Sequence, residues 1–113
     1  MLLSKDQIFA CQDVTTETIA MPEWGGEVKI KAMSIGDQIE FERLNKKSKE
    51  SANIVCNTLL YCCIDDNGDR LFTEADLKTL EKKSFKAIEK LFRACLSLNA
   101  LNSDSLEKEA KNS

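Results

Sequence analysis

Within the 113-residue chain the spacing of apolar residues changes from a period of two to helical spacing, and this change most constrains the fold. Apolar residues alternate with polar ones in TTETIAMPEW and again in EVKIKAM, a period of two that is typical of half-buried β-strands. Gly25 and Gly26 lie between these stretches and predict a tight two-residue turn. Pro22 has no amide donor, so we expect it at the edge or the end of the sheet. The residues predicted to share one face are Val28, Ile30 and Ala32.

From Ser34 onwards the apolar residues recur at helical spacing. The stretch from Ala52 to Cys63 follows the i, i+3, i+4, i+7 pattern and is predicted to be the central core helix. The polar segment NKKSKESAN before it is interpreted as a break between two helices or as a solvated helical stretch. Capping patterns at Ser4–Gln7, Ser34–Asp37 and Thr73–Asp76, together with Ser84, predict the other helix starts.

These patterns predict an α+β fold, in which an N-terminal β-hairpin packs against a small, mostly helical domain of about four helices. A chain of this length fits one domain, over residues 1–102. The last segment, 103–113, has few apolar residues and is expected to fray.

Composition excludes several classes of function. The chain has 16 basic and 19 acidic residues, which argues against nucleic acid as a partner. It has no histidine, so the usual general base is missing, and its carboxylates lie in contexts that give no reason for a shifted pKa. We expect no catalytic residues and no cofactor. No apolar run is long enough to span a membrane and no leader is evident, so a cytoplasmic protein is expected.

The five cysteines are an odd number and include an adjacent pair, Cys62-Cys63, which a bridge would strain. They are predicted to be reduced thiols, with Cys56 and Cys95 acting as small hydrophobic residues on helical faces. With neither Cys-x-x-Cys spacing nor histidine, a zinc or redox site is not expected.

The acidic stretch CCIDDNGDRLFTEADL is similar to a calcium-binding EF-hand loop. Alignment on Gly68 places acidic or amide residues at three ligand positions, but Cys63 falls at the first, and a thiol is a poor calcium ligand. The Asn67-Gly68 pair instead predicts a type I′ turn. A calcium or small enzyme module is kept as a weaker alternative, centred on Asp65, Asp66, Asn67, Asp69 and Glu74.

The order MPEWGGEVKIKAMS, then DDNGDRLFTEADLKTL, then KSFKAIEKLFRACLSLNAL resembles the small tail assembly chaperones of long-tailed bacteriophages and prophages. The resemblance covers nearly the whole chain. It implies a non-enzymatic protein of the host bacterial cytoplasm that coats the tape-measure protein, helps to recruit tail-tube subunits, self-associates and leaves before the virion is complete. In many such phages a frameshift also makes a longer form. The alternative is a structural connector or head-completion component of the virion.

Three residues are predicted to bind a partner: Trp24, Leu98 and Leu101. Trp24 lies beside a turn and is interpreted either as a lid on the core or as a binding anchor. Phe85, Phe92 and Leu96 are assigned to the core, whereas Leu98 and Leu101 are expected to be more exposed. A basic stripe of Lys83, Lys86, Lys90 and Arg93 is interpreted as a solvated helix face rather than a phosphate-binding site.

Overall fold

The computed structural model describes residues 1–47 and 51–99 and shows an α+β fold, as predicted. The predicted tail over 103–113 and Leu101 lie outside the described residues. The elements in chain order are α1 (Lys5–Ala10), β1 (Thr16–Met21), β2 (Gly26–Lys31), α2 (Ile35–Lys47), α3 (Ser51–Cys62), β3 (Cys63–Ile64), α4 (Leu77–Leu80) and α5 (Phe85–Leu98). No helix of this described part is long and apolar enough to cross a membrane.

The predicted hairpin is present, but its turn differs from the prediction. β1 and β2 are antiparallel, with Met21 opposite Gly26, so Gly26 belongs to the strand. The connection is a 3₁₀ turn over Pro22–Trp24, closed by Gly25 at a φ of 77°. Proline favours this turn because its fixed φ suits the first position of a helical turn and its missing amide has no partner to lose there. β1 is an edge strand and Pro22 follows its end, as expected.

A short third strand extends the sheet in the order β1-β2-β3. β3 follows directly from α3, and its residue Cys63 lies opposite Ile30 of β2. The sequence pattern had assigned Cys63 to the end of the central helix. That pattern cannot distinguish the two assignments, because Cys63 and Ile64 are buried and apolar in either case.

The predicted helix starts are largely confirmed. Ser4 and Gln7 form a reciprocal capping box at α1, and the hydroxyl of Ser84 accepts a hydrogen bond from the Ala87 amide at α5. The box at Thr73 starts a 3₁₀ turn before α4, which ends at Leu80 and is shorter than predicted. Amide-to-carbonyl bonds between residues three apart follow Leu80, so the chain tightens into turns there before Ser84 begins α5.

The core lies between the sheet, α3 and α5. Leu59 of α3 and Leu91 of α5 are fully buried, as are Met21 and Ile30 from the two long strands. The prediction that α3 is the central helix is therefore confirmed. A second, smaller cluster forms around Phe41, Leu60 and Tyr61, between α2 and the other face of α3. Each fully buried leucine contributes roughly 1.5–3 kcal/mol relative to an exposed one.

Candidate partner-binding groove

An apolar groove of about 720 Å³ lies between α3, α4 and α5. We call it the α5 groove. Its apolar lining residues are Val55, Cys56, Leu80, Phe85, Ile88, Phe92 and Leu96. Its charged lining residues are Glu81, Lys83, Glu89 and Arg93.

The groove exists because α5 has more apolar surface than the core of this chain buries. Leu91 and Cys95 are fully buried against the sheet and α3, whereas Phe92 and Leu96 are only half-buried. Phe85 is 77% exposed, so its predicted place in the core is wrong. The reason is its position as the first residue of α5, since the buried part of the helix begins only at Ala87.

Two basic residues of α5 are paired with carboxylates. Arg93 contacts Glu89 one turn earlier at 2.8 Å, and Lys90 contacts Glu23 of the 3₁₀ turn at 3.4 Å. A hydrogen bond from its own backbone and the contact with Lys90 lower the pKa of Glu23, against the opposing effect of burial. These exposed ion pairs agree with a solvated basic face. Each contributes little to the free energy of unfolding, because it is exposed to water.

Two of the three predicted binding residues, Trp24 and Leu98, lie outside the groove lining, and the third, Leu101, is outside the described residues. Trp24 is 38% exposed in the turn that ends the hairpin. Leu98 is half-buried and packs against the main core cluster. The next residue, Asn99, accepts a hydrogen bond of 2.6 Å from the amide of Met33, which holds this end of α5 beside the start of α2. A binding role for Trp24 and Leu98 stays a prediction.

A charge cluster around Asp37 was not predicted from the sequence. Asp37 is buried and accepts hydrogen bonds from Lys31 Nζ at 2.8 Å, from Arg70 at 2.9 Å and from the Ser34 amide at 3.2 Å. Burial acts to raise the pKa of Asp37, but the hydrogen bonds from Lys31 and Arg70 outweigh it and lower the pKa to about 2. The expectation that no carboxylate has a shifted pKa is therefore wrong.

Arg70 connects this cluster to the second core. Its guanidinium also contacts Glu40 at 3.0 Å and lies over the ring of Tyr61, 4.2 Å from the centroid. Tyr61 in turn packs edge-on against Phe41. The three contacts tie α2 and α3 to the segment after β3, so the arrangement supports the fold. A mixed polar and apolar cleft of about 440 Å³ lies beside it.

In the acidic turn, the carboxylate of Asp65 accepts hydrogen bonds from backbone amides of the same turn. Asp65 Oδ1 accepts hydrogen bonds from the amides of Asn67 and Asp69, at 2.9 and 3.0 Å. The turn closes from the Gly68 amide to the Asp65 carbonyl, so Asp66 and Asn67 occupy its centre. The predicted type I′ turn centred on Asn67-Gly68 is wrong, because Gly68, with a φ of 86°, follows the turn instead.

Metal binding has little support in this region. Cys63, which aligns with the first calcium position, is fully buried in β3. Over residues 1–47 and 51–99, no group of three or more His, Cys, Asp or Glu side chains is arranged to hold a metal ion.

All five cysteines are free thiols, as predicted. Cys11 is exposed and the other four are buried, including Cys56 and Cys95 on apolar helix faces. A hydrogen bond with Cys95 and burial together raise the pKa of the Cys62 thiol. Buried thiols of this kind stay protonated and act as packing residues.

The fold is similar to that of a solved structure. The tail assembly chaperone of bacteriophage HK97 matches it with a TM-score of 0.56 over 82% of this chain and 90% of that chain. This chain has the fold of a phage tail assembly chaperone. The sequence identity is 15%, so the likeness concerns the fold, and at that level it supports the resemblance drawn from the sequence. No protein-family model matches the chain, and no curated protein matches it.

Proposed function

We propose that this chain is a tail assembly chaperone of a long-tailed phage or prophage. Its client is the tape-measure protein, and it helps to recruit tail-tube subunits in the host bacterial cytoplasm before leaving the finished particle. Its role is binding rather than catalysis. The observation that carries the proposal is the likeness in fold to the HK97 tail assembly chaperone, over most of both chains.

The α5 groove supports this proposal physically. A tape-measure protein is expected to be a long amphipathic helix, and such helices bind by laying their apolar face in an apolar groove. The groove offers Phe85, Phe92 and Leu96, none of which is buried in the core. An aromatic residue with this exposure is suited to be the anchor of an interface. We propose that the client helix binds here, with Trp24 and Leu98 as further contacts.

The proposal is tested by affinity purification from cells that express the surrounding late genes, with a tag on this chain and mass spectrometry of the retained proteins. We expect a long helical tape-measure protein and a tube subunit to be retained. Retention of neither, with the chain found in finished particles, would instead identify a structural virion component.

Two matched substitutions test the groove in the same experiment. Phe85 and Ile35 are each the first residue of a helix and are 77% and 83% exposed, but only Phe85 lines the groove. An aspartate is favourable at a helix start, so both variants are expected to fold. Phe85→Asp should weaken client binding by about 30-fold, since losing an aromatic anchor costs about 2 kcal/mol. Ile35→Asp should leave it unchanged, and equal losses in the two variants would exclude the groove.

A further inference from the structure

The outer side of β1 is a long, open edge of the sheet. Among the described strands, only β2 pairs with β1. The other edge of the sheet is covered by the segment after β3, where Ile64 forms a bridge with Arg70. The Leu71 amide also donates a hydrogen bond to the Cys63 carbonyl there. In the part of the chain that the structure describes, no backbone group pairs with the outer side of β1.

The register of the hairpin shows which backbone groups of β1 face away from β2. The Ala32 amide donates to the Thr15 carbonyl at 2.9 Å, so Thr15 begins the series of hydrogen-bonded pairs. In an antiparallel ladder such pairs recur at every second residue, and the residues between them direct their amide and carbonyl groups to the other side. The outward-facing residues are therefore Thr16, Thr18 and Ala20, which also have exposed side chains. Their backbone groups are available to another strand.

β1 lacks the features by which edge strands usually prevent pairing. Natural edge strands are often very short, bulged, or interrupted by proline or lysine. β1 is six residues long, pairs with β2 without a bulge, and contains neither lysine nor proline. Pro22 comes only after its last residue. At about 3.4 Å for each residue, the open edge is about 20 Å long, which is enough to pair with a strand of ordinary length.

The charges beside this edge are mostly acidic. Residues 11–28 contain no basic residue and four acidic ones, which are Asp13, Glu17, Glu23 and Glu27. Among the described residues, only Glu23 of these four is in an ion pair, with Lys90. β2 carries two lysines, but Lys31 is already in an ion pair and Lys29 is half-buried, one strand away from the edge. A basic segment therefore complements the edge, whereas a second copy of β1 would bring like charge to it.

We infer that the outer edge of β1 is a strand-addition site for an extended, basic segment of a protein partner. Main-chain hydrogen bonds to Thr16, Thr18 and Ala20 hold the segment, and its alternate side chains give specificity. On the core-facing side of β1, Glu17 is exposed and Ile19 is half-buried. A base opposite Glu17 and an apolar residue opposite Ile19 lie on one face of the added strand, so both are matched by a segment of alternating pattern.

This site is separate from the α5 groove. None of the residues that line the groove belongs to β1. Strand addition therefore leaves the groove open to the client helix, and the inference does not rest on the proposed function.

The test measures binding of a fluorescent octapeptide to the full-length chain by fluorescence anisotropy. The peptide has threonine at every second position, with lysine and valine in turn between them, so that it matches both faces of the edge. We expect saturable binding with a Kd below about 1 mM. Two control peptides should bind about tenfold more weakly. One has glutamate in place of lysine, and the other has every backbone amide methylated, which removes the hydrogen-bond donors but keeps the charge.

Substitutions in β1 test the same site from the protein side. Thr18→Pro removes one outward amide and leaves the β1–β2 ladder intact, because proline is tolerated on an edge strand where its nitrogen faces away from the sheet. It should weaken binding about tenfold, whereas Thr18→Val keeps the amide and should bind like the wild type. Glu17→Lys should weaken binding of the basic peptide about fivefold and strengthen that of the acidic one. It leaves every backbone bond in place, so it tests the site even if proline unfolds the strand.

Amide hydrogen exchange locates the bound peptide. The amides of Thr16, Thr18 and Ala20 should exchange rapidly in the free protein and slowly with the peptide bound, whereas those of Glu17 and Ile19 should exchange slowly in both states. The inference is overturned if the basic peptide does not bind, binds equally well when methylated, or leaves the exchange of the three outward amides unchanged. Protection of these amides in the wild type alone at high concentration would also overturn it, because two copies would then be paired through β1.

Discussion

The buried carboxylate of Asp37 gives a stability effect that depends on pH. Asp37→Asn keeps the shape of the side chain and one oxygen for the Ser34 amide, but it removes the charge that faces Lys31 and Arg70. The pKa of Asp37 is lowered from 3.8 to about 2 in the folded protein. A group with a lowered pKa stabilises the fold above its unfolded pKa and loses that effect as pH falls through the folded value.

The size of the effect on unfolding free energy follows from the pKa shift of Asp37. At about 1.4 kcal/mol for each pKa unit, the ionised Asp37 contributes about 2 kcal/mol at pH 7. About half of this remains near pH 3, and less than about 0.5 kcal/mol remains at pH 2. The difference in unfolding free energy between the wild type and Asp37→Asn should therefore shrink between pH 4 and pH 2, because protonated aspartic acid resembles asparagine.

The assay is urea unfolding followed by circular dichroism at pH 7, pH 3 and pH 2, with both proteins at the same ionic strength. Glu40→Gln is the control, since Glu40 contacts the same guanidinium from an exposed position and should cost less than about 1 kcal/mol. A loss in Asp37→Asn that is the same at pH 2 as at pH 7, or no loss at pH 7, would refute the reasoning.

Three further results are expected. Gly25→Ala should lower the unfolding free energy by about 1–2 kcal/mol in urea titrations, because Gly25 has a φ of 77°. Gly26→Ala should lower it by less, and equal losses of unfolding free energy in the two variants would contradict this prediction. A thiol reagent added to the native, reduced protein should label Cys11 rapidly and the four buried cysteines only on unfolding, and rapid labelling at several sites would contradict the burial. Trp24→Ala should keep cooperative unfolding and weaken client retention, whereas loss of cooperativity would identify a core role.

The elements of this fold could be predicted from sequence where local chemistry decides them. The capping pairs at Ser4 and Ser34 and the cap at Ser84 depend on residues within one helical turn, and the alternation in β1 and β2 depends on period alone. The prediction of a two-residue Gly25-Gly26 turn after β1 was wrong, because Pro22 and Gly25 together favour a 3₁₀ turn.

The functional surfaces depend on contacts between distant residues, which periodicity does not reveal. Asp37 and Arg70 are 33 positions apart, and their pairing requires α2 to lie beside the segment after β3. The α5 groove was missed as a unit because helical spacing marks Phe85 and Leu91 alike as apolar. Only the packing of α5 against α3 and the sheet decides that Leu91 is buried, whereas Phe85 precedes the buried part of the helix and is exposed.

The most direct test of the proposed function is a titration of purified chain with fluorescent peptides that tile a tape-measure protein from the genome that encodes this chain. We expect saturable binding to amphipathic helical segments, measured by fluorescence anisotropy, that Phe85→Asp weakens and Ile35→Asp does not. Binding to no segment, or binding that the two variants weaken equally, would contradict the claim that this chain is a chaperone that holds its client in the α5 groove.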